Sequence, residues 1–185
     1  FTSDRSGSRQ VYTMDASGSA PLKVTAHTEG YSLQGWYADG KSLLTRGNRD
    51  DFWRHPERFL RVQLKEGMAE EMLFDAYGSD GALSADCNRL LFTREGTQWW
   101  RKGYEGAQAS QVWMYDLKKK QFTKLADHPS GCRWPLWHPD GKRFYYVGGQ
   151  SGSFNLWLRD VKSGKEQQVT HFEDDAVVNP CISRD

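Results

Sequence analysis

The sequence predicts an all-β fold in which four-stranded antiparallel sheets repeat along the chain. Three observations support this prediction. Two sets of similar segments interleave at a period of about 45 to 54 residues, apolar and polar residues alternate within them, and Asp-Gly and Ser-Gly pairs punctuate them. No stretch has a convincing apolar period of 3.6 residues over three turns. Four short strands at a period near 45 residues are typical of a β-propeller blade, so we expect about four blades.

The first set of repeated segments contains a strand that ends at an acidic or amide side chain. The aligned acidic or amide residues of the four segments are separated along the chain by 48, 53 and 44 residues. The second set ends in a tight turn, as in "GWYADGK" and "LWHPDGK". The equivalent positions of the first set are Asp15, Gln63, Asp116 and Asp160, and copies of the second set begin at Gly35, Ala82, Leu136 and, in truncated form, Cys181.

The fourth copy defines the elements of a blade most clearly. It predicts strands A to D at residues 134–138, 143–147, 155–160 and 166–170. In this register Phe1 begins in a strand B, and Cys181-Ile182 lies in a strand A. We therefore interpret residues 1–185 as a single propeller domain or an excerpt of one, with blade boundaries near residues 33, 81, 133 and 178.

Composition limits the classes of partner. The formal charge of +1, from 25 basic and 24 acidic residues, provides no field that would attract nucleic acid or an anionic membrane. No apolar run approaches the roughly 18 residues of a membrane helix. The three cysteines have neither the spacing of a disulfide framework nor that of a zinc site, so the cellular compartment stays open.

Two longer motifs resemble a known family. The stretches "FTSDRSGSRQVYTMDASG" and "LWHPDGKRFYYVGGQSGSFNLWLRDVKSGKEQQVT" are similar to the WD-like propeller repeats of TolB and of the tricorn peptidases. The stretch "WWRKGYEGAQASQVWMYDL" resembles the tryptophan-rich insertion in the amino-terminal propeller of tricorn-type serine peptidases. The resemblance implies a parent ring of six or seven blades, of which this chain holds about four. A compact closed ring is the alternative.

One turn departs from the family pattern. Where two copies have Asp-Gly, the third has Asp86-Cys87-Asn88. Because asparagine tolerates the left-handed conformation, we expect Asn88 to adopt it in place of the glycine.

Two insertions between strands B and C provide the candidate binding surface. They cover residues 48–59 and 95–110, and in a propeller such loops share one face with the D-to-A loops. Loops on a rigid scaffold commonly bind partners, and arginine with tryptophan is the composition of interface hot spots. The predicted binding residues are Arg49, Trp53, Arg54, Trp99, Trp100, Arg101, Tyr104 and Arg133.

The tryptophans admit two interpretations. Trp99 and Trp100 either fold back over the gap between blades or contact a partner, because large aromatic side chains serve both purposes. Trp113, Trp137 and Trp157 fall at equivalent strand positions of the repeat, and we expect them in the core.

No catalytic, metal or cofactor site is predicted. The sequence lacks a G-x-S-x-G elbow, an H-E-x-x-H motif and phosphate-binding glycine loops. His27 and His128 occupy one repeat position and are expected to be scaffold residues. The cluster Glu173-Asp174-Asp175 lacks the ligand spacing of a calcium loop and is interpreted as a solvated loop.

The resemblance implies a function. It indicates a non-catalytic propeller module of a tricorn-like peptidase that binds or guides peptides or mediates assembly. Tricorn-type propellers are thought to guide peptides with loop arginines, and Asn48-Arg49 resembles one such place, although Asp50 stands where a second arginine would be expected. The alternatives are a TolB-like protein-interaction propeller of the cell envelope and, less favoured, carbohydrate binding through Trp99 and Trp100. Exposed blade edges also predict self-association.

Overall fold

The computed structural model describes residues 1–49, 57–64, 70–94, 96, 101 and 103–183. Within these residues every regular element is a β-strand, and the strands form four antiparallel sheets. The predicted all-β class is therefore confirmed. The chain divides into two compact units, Phe1–Gly78 and Ser79–Asp185, each of which contains two of the sheets.

The first unit contains a three-stranded and a four-stranded sheet. Each sheet is a simple meander in which neighbours along the chain are neighbours in the sheet. The three-stranded sheet begins with the equivalent of strand B, as the repeat register predicts for Phe1. Its strands are β1 (Thr2–Ser3), β2 (Gln10–Thr13) and β3 (Leu22–Lys23), and those of the second sheet are β4 (Ser32–Trp36), β5 (Ser42–Asn48), β6 (Glu57–Gln63) and β7 (Glu70–Tyr77).

The second unit contains two four-stranded meanders. The insertion predicted at residues 95–110 is the connection between the second and third strands of the first of these sheets. The strands are β8 (Ser79–Leu83), β9 (Arg89–Arg94), β10 (Gln111–Asp116) and β11 (Gln121–Ala126), followed by β12 (Cys132–Trp137), β13 (Arg143–Gly148), β14 (Asn155–Asp160) and β15 (Glu166–Gln168).

The strands predicted from the fourth copy agree closely with β12 to β15. Strand C coincides with β14, strands B and D differ from β13 and β15 by one or two residues at one end, and strand A differs from β12 by one or two residues at both ends. Two predictions need correction. The connection between β5 and β6 covers only residues 49–56, because both strands extend into the predicted insertion. Residues 181–183 form no strand, since no described strand pairs with them.

Apolar side chains between the two sheets of each unit form its core. In the first unit this core includes Val11, Leu43 and Leu60. In the second unit Trp137 belongs to the core, with its indole N–H donating to the Ala82 carbonyl at 3.0 Å. The predictions for the other two tryptophans hold in part. Trp157 packs partly buried against that core, whereas half-buried Trp113 lies between Arg94 and Lys124, with the cations 5.4 and 5.9 Å from its ring centroid.

An aspartate organises the turn after the first strand of each four-stranded sheet. Asp140 Oδ1 accepts the backbone N–H groups of Lys142 (2.8 Å) and Arg143 (3.0 Å), and the following Gly141 has φ +65°. In the third copy the left-handed residue is Cys87, with φ +53°, so the prediction for Asn88 was wrong. The Asn88 side chain instead donates to Asp86 Oδ2 at 2.9 Å. The left-handed residue therefore stands at the same turn position as the glycine of the other copies.

The amide of Asn155, at the start of β14, ties the segment after β15 to the sheet. Fully buried Asn155 accepts the Phe172 N–H (2.8 Å) and the Thr170 hydroxyl (2.9 Å) at Oδ1, and its Nδ2 donates to the Phe172 carbonyl (2.9 Å). Thr170 Oγ1 accepts the Leu156 N–H at 2.9 Å. An amide side chain presents a donor and an acceptor side by side, so Asn155 pairs with the backbone of Phe172 much as a neighbouring strand would.

The same clamp occurs in the first sheet. Gln10 Oε1 accepts the His27 N–H (3.3 Å) and the Thr25 hydroxyl (2.9 Å), while its Nε2 donates to the His27 carbonyl at 2.6 Å. The sheet β8–β11 departs from this pattern. There Ala126 replaces the threonine, and Gln111 accepts the Trp113 indole N–H at 2.9 Å.

Candidate functional site

The structure describes four of the eight predicted binding residues. Arg49 follows β5 in the first unit. Arg101 and Tyr104 lie in the β9–β10 connection, and Arg133 lies within β12, all in the second unit. The remaining four, Trp53, Arg54, Trp99 and Trp100, lie outside the described residues.

Arg49 is held by a carboxylate from another strand. Its guanidinium donates two hydrogen bonds to Glu70 of β7, at 2.9 and 3.1 Å, and a third to the Asn48 carbonyl at 2.5 Å. The guanidinium also lies 4.4 Å from the ring centroid of buried Tyr31, whose hydroxyl donates to Glu70 at 2.5 Å. A bidentate arginine–carboxylate pair is a strong geometry, so Glu70 occupies the fork with which Arg49 would recognise another anion.

The ionisation of this cluster follows from its geometry. Burial and the hydrogen bond to Glu70 raise the pKa of Tyr31 to about 12. Burial opposes the charged form of Glu70, but the hydrogen bonds from Arg49 and Tyr31 outweigh it and hold the Glu70 pKa below its usual value. Burial likewise opposes the charged form of Arg49, and the bonds to Glu70 reverse that effect, so the Arg49 pKa is raised. At neutral pH the cluster is an ion pair beside a neutral tyrosine.

The cluster also brings a D-to-A loop beside a B-to-C connection. His27 and Tyr31, from the loop between β3 and β4, both lie against Arg49. His27 keeps the scaffold role predicted for it, because its carbonyl and its Nδ1 accept the N–H groups of Gly30 (3.0 Å) and Glu29 (3.2 Å). His128 forms the equivalent turn in the second unit. The first unit therefore confirms that the two kinds of loop share a face.

Arg101 is exposed and rests on an aromatic ring. Its guanidinium lies 4.8 Å from the ring centroid of Tyr104. Tyr104 is in turn fixed within its own loop, because its hydroxyl accepts the Gln108 N–H at 3.4 Å and packs closely against Gly106. Among the described residues no carboxylate forms an ion pair with Arg101. Unlike Arg49, this arginine presents its charge to solvent.

Arg133 is buried among aromatic rings. Its guanidinium lies 5.5 Å from the ring centroid of Trp134 and 5.4 Å from that of Phe154. Burial lowers the pKa of Arg133, an effect that the charge of Asp80 opposes. Arg101 and Arg133 thus belong to separate aromatic contacts, so the structure does not gather the predicted arginines into one described cluster.

Two participants in the Arg49 cluster were missing from the predicted site. Tyr31 could have been inferred, because it lies in a D-to-A loop on the face that the repeat assigns to binding. Glu70 has no such signal, since it stands at the first position of a strand whose register the sequence does not define.

Neither a metal centre nor a membrane span emerges from the described part of the chain. No group of three or more histidine, cysteine, aspartate or glutamate side chains there could hold a metal ion. No described helix has the length and apolarity to cross a membrane.

The repeated antiparallel meanders define a β-propeller module. The sequence model of the tricorn protease N-terminal β-propeller domain matches residues 1–185, and the chain belongs to this family. No curated protein matches the sequence. The family match agrees with the resemblance and the fold class that the repeats predict.

Solved structures share the fold at low sequence identity. TolB from Acinetobacter baumannii is 18% identical with a TM-score of 0.69, over 88% of this chain and 38% of TolB. The tricorn protease is 13% identical with a TM-score of 0.52, over 90% of this chain and 21% of the protease. An oligogalacturonate lyase from Vibrio parahaemolyticus is 12% identical with a TM-score of 0.65, over 93% and 49% of the two chains. This chain therefore spans less than half of each of these proteins.

Proposed function

We propose that this chain is the non-catalytic propeller module of a tricorn-like peptidase and that it binds and guides peptides. The observation that carries the proposal is the exposed Arg101 guanidinium, stacked on Tyr104 and lacking a carboxylate partner among the described residues. A guanidinium held on an aromatic ring keeps its hydrogen-bonding edge for a ligand, and that edge matches a carboxylate. The preferred ligand is a peptide with a free carboxyl terminus.

Arg49 has a different status in this proposal. Its fork is filled by Glu70, so a peptide carboxylate must first displace an intramolecular one. The cost of that exchange makes Arg101 the stronger anchor for an incoming peptide. Substituting Glu70→Gln removes the competing charge, and we expect it to strengthen binding of carboxylate peptides through Arg49.

The experiment compares peptides that differ only at the carboxyl terminus. Matched libraries with free and amidated termini are titrated against the chain and its Arg101→Gln variant by fluorescence anisotropy. Loss of one charge-assisted hydrogen bond to a carboxylate should weaken binding about tenfold, and only for the free-terminus library. The interaction should also weaken with salt, because an exposed charge pair is screened.

Arg5→Gln is the matched control. Arg5 is also exposed and lies over a tyrosine, 5.0 Å from the ring centroid of Tyr12, but in the first sheet. Both substitutions remove one exposed positive charge held over aromatic side chains, Arg5 lying over Phe1 as well as Tyr12, so a general electrostatic effect would lower binding equally. Equal losses, or no difference between free and amidated termini in a folded chain, would overturn the peptide-anchoring proposal. Either result would favour the alternative, a TolB-like propeller that docks a protein partner.

A further inference from the structure

The first strand of every four-stranded sheet carries a β-bulge at the same place. In β4, β8 and β12 one extra residue interrupts pairing with the following strand. The repeat register places Leu33, Asp80 and Trp134 at equivalent positions in these three bulges. Bulges re-aim side chains and are common beside binding sites, so the residues at this position need an explanation of their own.

Asp80 and Trp134 adopt a backbone conformation that the bulge does not require. Their φ angles are +54° and +51°, whereas Leu33 is not among the described residues with positive φ. The left-handed region disfavours side chains that carry a Cβ. Trp134 also precedes Pro135, and the residue before a proline favours an extended conformation. Asp80 takes the left-handed angle although the next residue, Gly81, is a glycine. This strain holds two particular side chains in place, which is the pattern seen at functional sites.

The two side chains combine a carboxylate with an indole. Strands β8 and β12 pack against each other, so the two bulges are neighbours within one unit. The backbone N–H of Trp134 donates to Thr93 Oγ1 at 3.1 Å, and this bond fixes the bulge to β9. The chain's own Arg133 already lies over the Trp134 ring, and the charge of Asp80 opposes the lowering of its pKa by burial. Because burial, and not Asp80 or the ring, disfavours this charge, a cation at the less buried part of the Trp134 indole would keep the favourable contacts without that cost.

We propose that Asp80 and Trp134 form a binding site for a cationic side chain, lysine or arginine, of a bound peptide segment. The carboxylate supplies charge and the half-buried indole supplies an aromatic face, the pairing by which proteins recognise ammonium and guanidinium groups. The peptide as ligand rests on the proposed function, but the residues are distinct from Arg101. The two sites would bind groups of opposite charge on one bound peptide.

Blocked peptides test this site separately from the carboxylate anchor. Acetylated and amidated pentapeptides of glycine with a central lysine, norleucine or glutamate are titrated against the 185-residue chain by NMR. Because these probes have no terminal charge, failure at Arg101 does not affect the lysine and norleucine probes. We expect the lysine peptide to bind about tenfold more tightly than the norleucine peptide, the combined effect of a cation–π contact and a charge pair.

Two variants assign the effect to the bulges. Asp80→Asn keeps a residue that tolerates the left-handed conformation and removes only the charge. Trp134→Leu keeps apolar bulk and removes the aromatic face. Both should abolish the preference for lysine over norleucine, whereas Asp4→Asn, a control at an exposed carboxylate of the first sheet, should leave it unchanged. Preference retained in folded Asp80→Asn and Trp134→Leu chains, or no preference in the wild type, would overturn the proposal.

Discussion

Replacing Asn155 with alanine tests the amide clamp that fixes the segment after β15. The substitution removes the three hydrogen bonds to that segment, which join the amide to the Phe172 N–H, the Phe172 carbonyl and the Thr170 hydroxyl. It also removes the bonds from Nδ2 to Ser151 Oγ (3.0 Å) and to the Ser153 carbonyl (3.3 Å). The three bonds to the segment are 2.8 to 2.9 Å long and converge on a side chain with no exposed surface. Bulk water therefore cannot replace the amide unless the segment moves away.

The expected loss of stability is about 3 to 4 kcal/mol. The three bonds to the segment contribute roughly 1 kcal/mol each, the longer Nδ2 bonds to Ser151 and Ser153 add less, and a buried group left without a partner costs about 1 to 3 kcal/mol more. Phe172 is 46% exposed, so water can reach its backbone once the amide is gone, and the additional cost is small. Thr170 Oγ1 keeps its bond from the Leu156 N–H, which limits the loss further.

Urea unfolding followed by tryptophan fluorescence and circular dichroism measures this loss. The midpoint should fall without a change in the m value. Gln111→Ala is the matched control, because Gln111 occupies the equivalent repeat position but its side chain bonds, among the described residues, to half-buried Trp113 alone, and it should cost about 1 kcal/mol or less. In a double-mutant cycle, Asn155→Ala and Thr170→Ala should couple by about 1 kcal/mol. A loss for Asn155→Ala no larger than that for Gln111→Ala would refute the clamp.

Further predictions concern turns and pH. Cys87→Gly should raise the free energy of unfolding by about 0.5 kcal/mol, because relief of left-handed strain exceeds the entropy that glycine loses. The reverse change, Gly40→Ala, has open space around the new Cβ and should cost about 1 kcal/mol by urea unfolding. Hydrogen bonds from Ser84 and Asn88 lower the pKa of Asp86 from 3.8 to about 2. Its stabilisation is therefore complete above pH 4 and lost as pH falls toward 2, and Asp86→Asn should weaken that acid dependence of the thermal midpoint.

The sequence predicts the scaffold well because the same pattern of turns and strands recurs in each blade. The turn aspartates recur before β5, β9 and β13, and the alternation of apolar residues recurs in the strands that follow. A copy that departs from the pattern, such as Asp86-Cys87-Asn88, can then be interpreted by alignment with the other copies. Even there the alignment was the better guide, since Cys87 took the backbone conformation of the glycine it replaces.

The contacts of the candidate site are less predictable because they depend on residues that are not repeated. Arg49 is an expected anchor by composition, but its availability depends on Glu70, which lies 21 positions away and enters through β7. Arg133 is a charged residue and yet is buried by Trp134 and Phe154. Whether each arginine is accessible depends on contact residues of the same chain that a repeat of about 45 residues does not specify.

Differences between equivalent positions provide a physical criterion for separating scaffold from site. A feature present in every copy, such as the bulge in β4, β8 and β12, is what the blade architecture requires. A strained feature present in only some copies is not explained by that architecture, because Leu33 shows that the bulge forms without positive φ. The strain at Asp80 and Trp134 must therefore be offset by interactions of those side chains themselves. Glycine at either position would satisfy the backbone at lower cost, so the two side chains themselves offset the strain, and the proposed cation site assigns part of that offset to a bound partner.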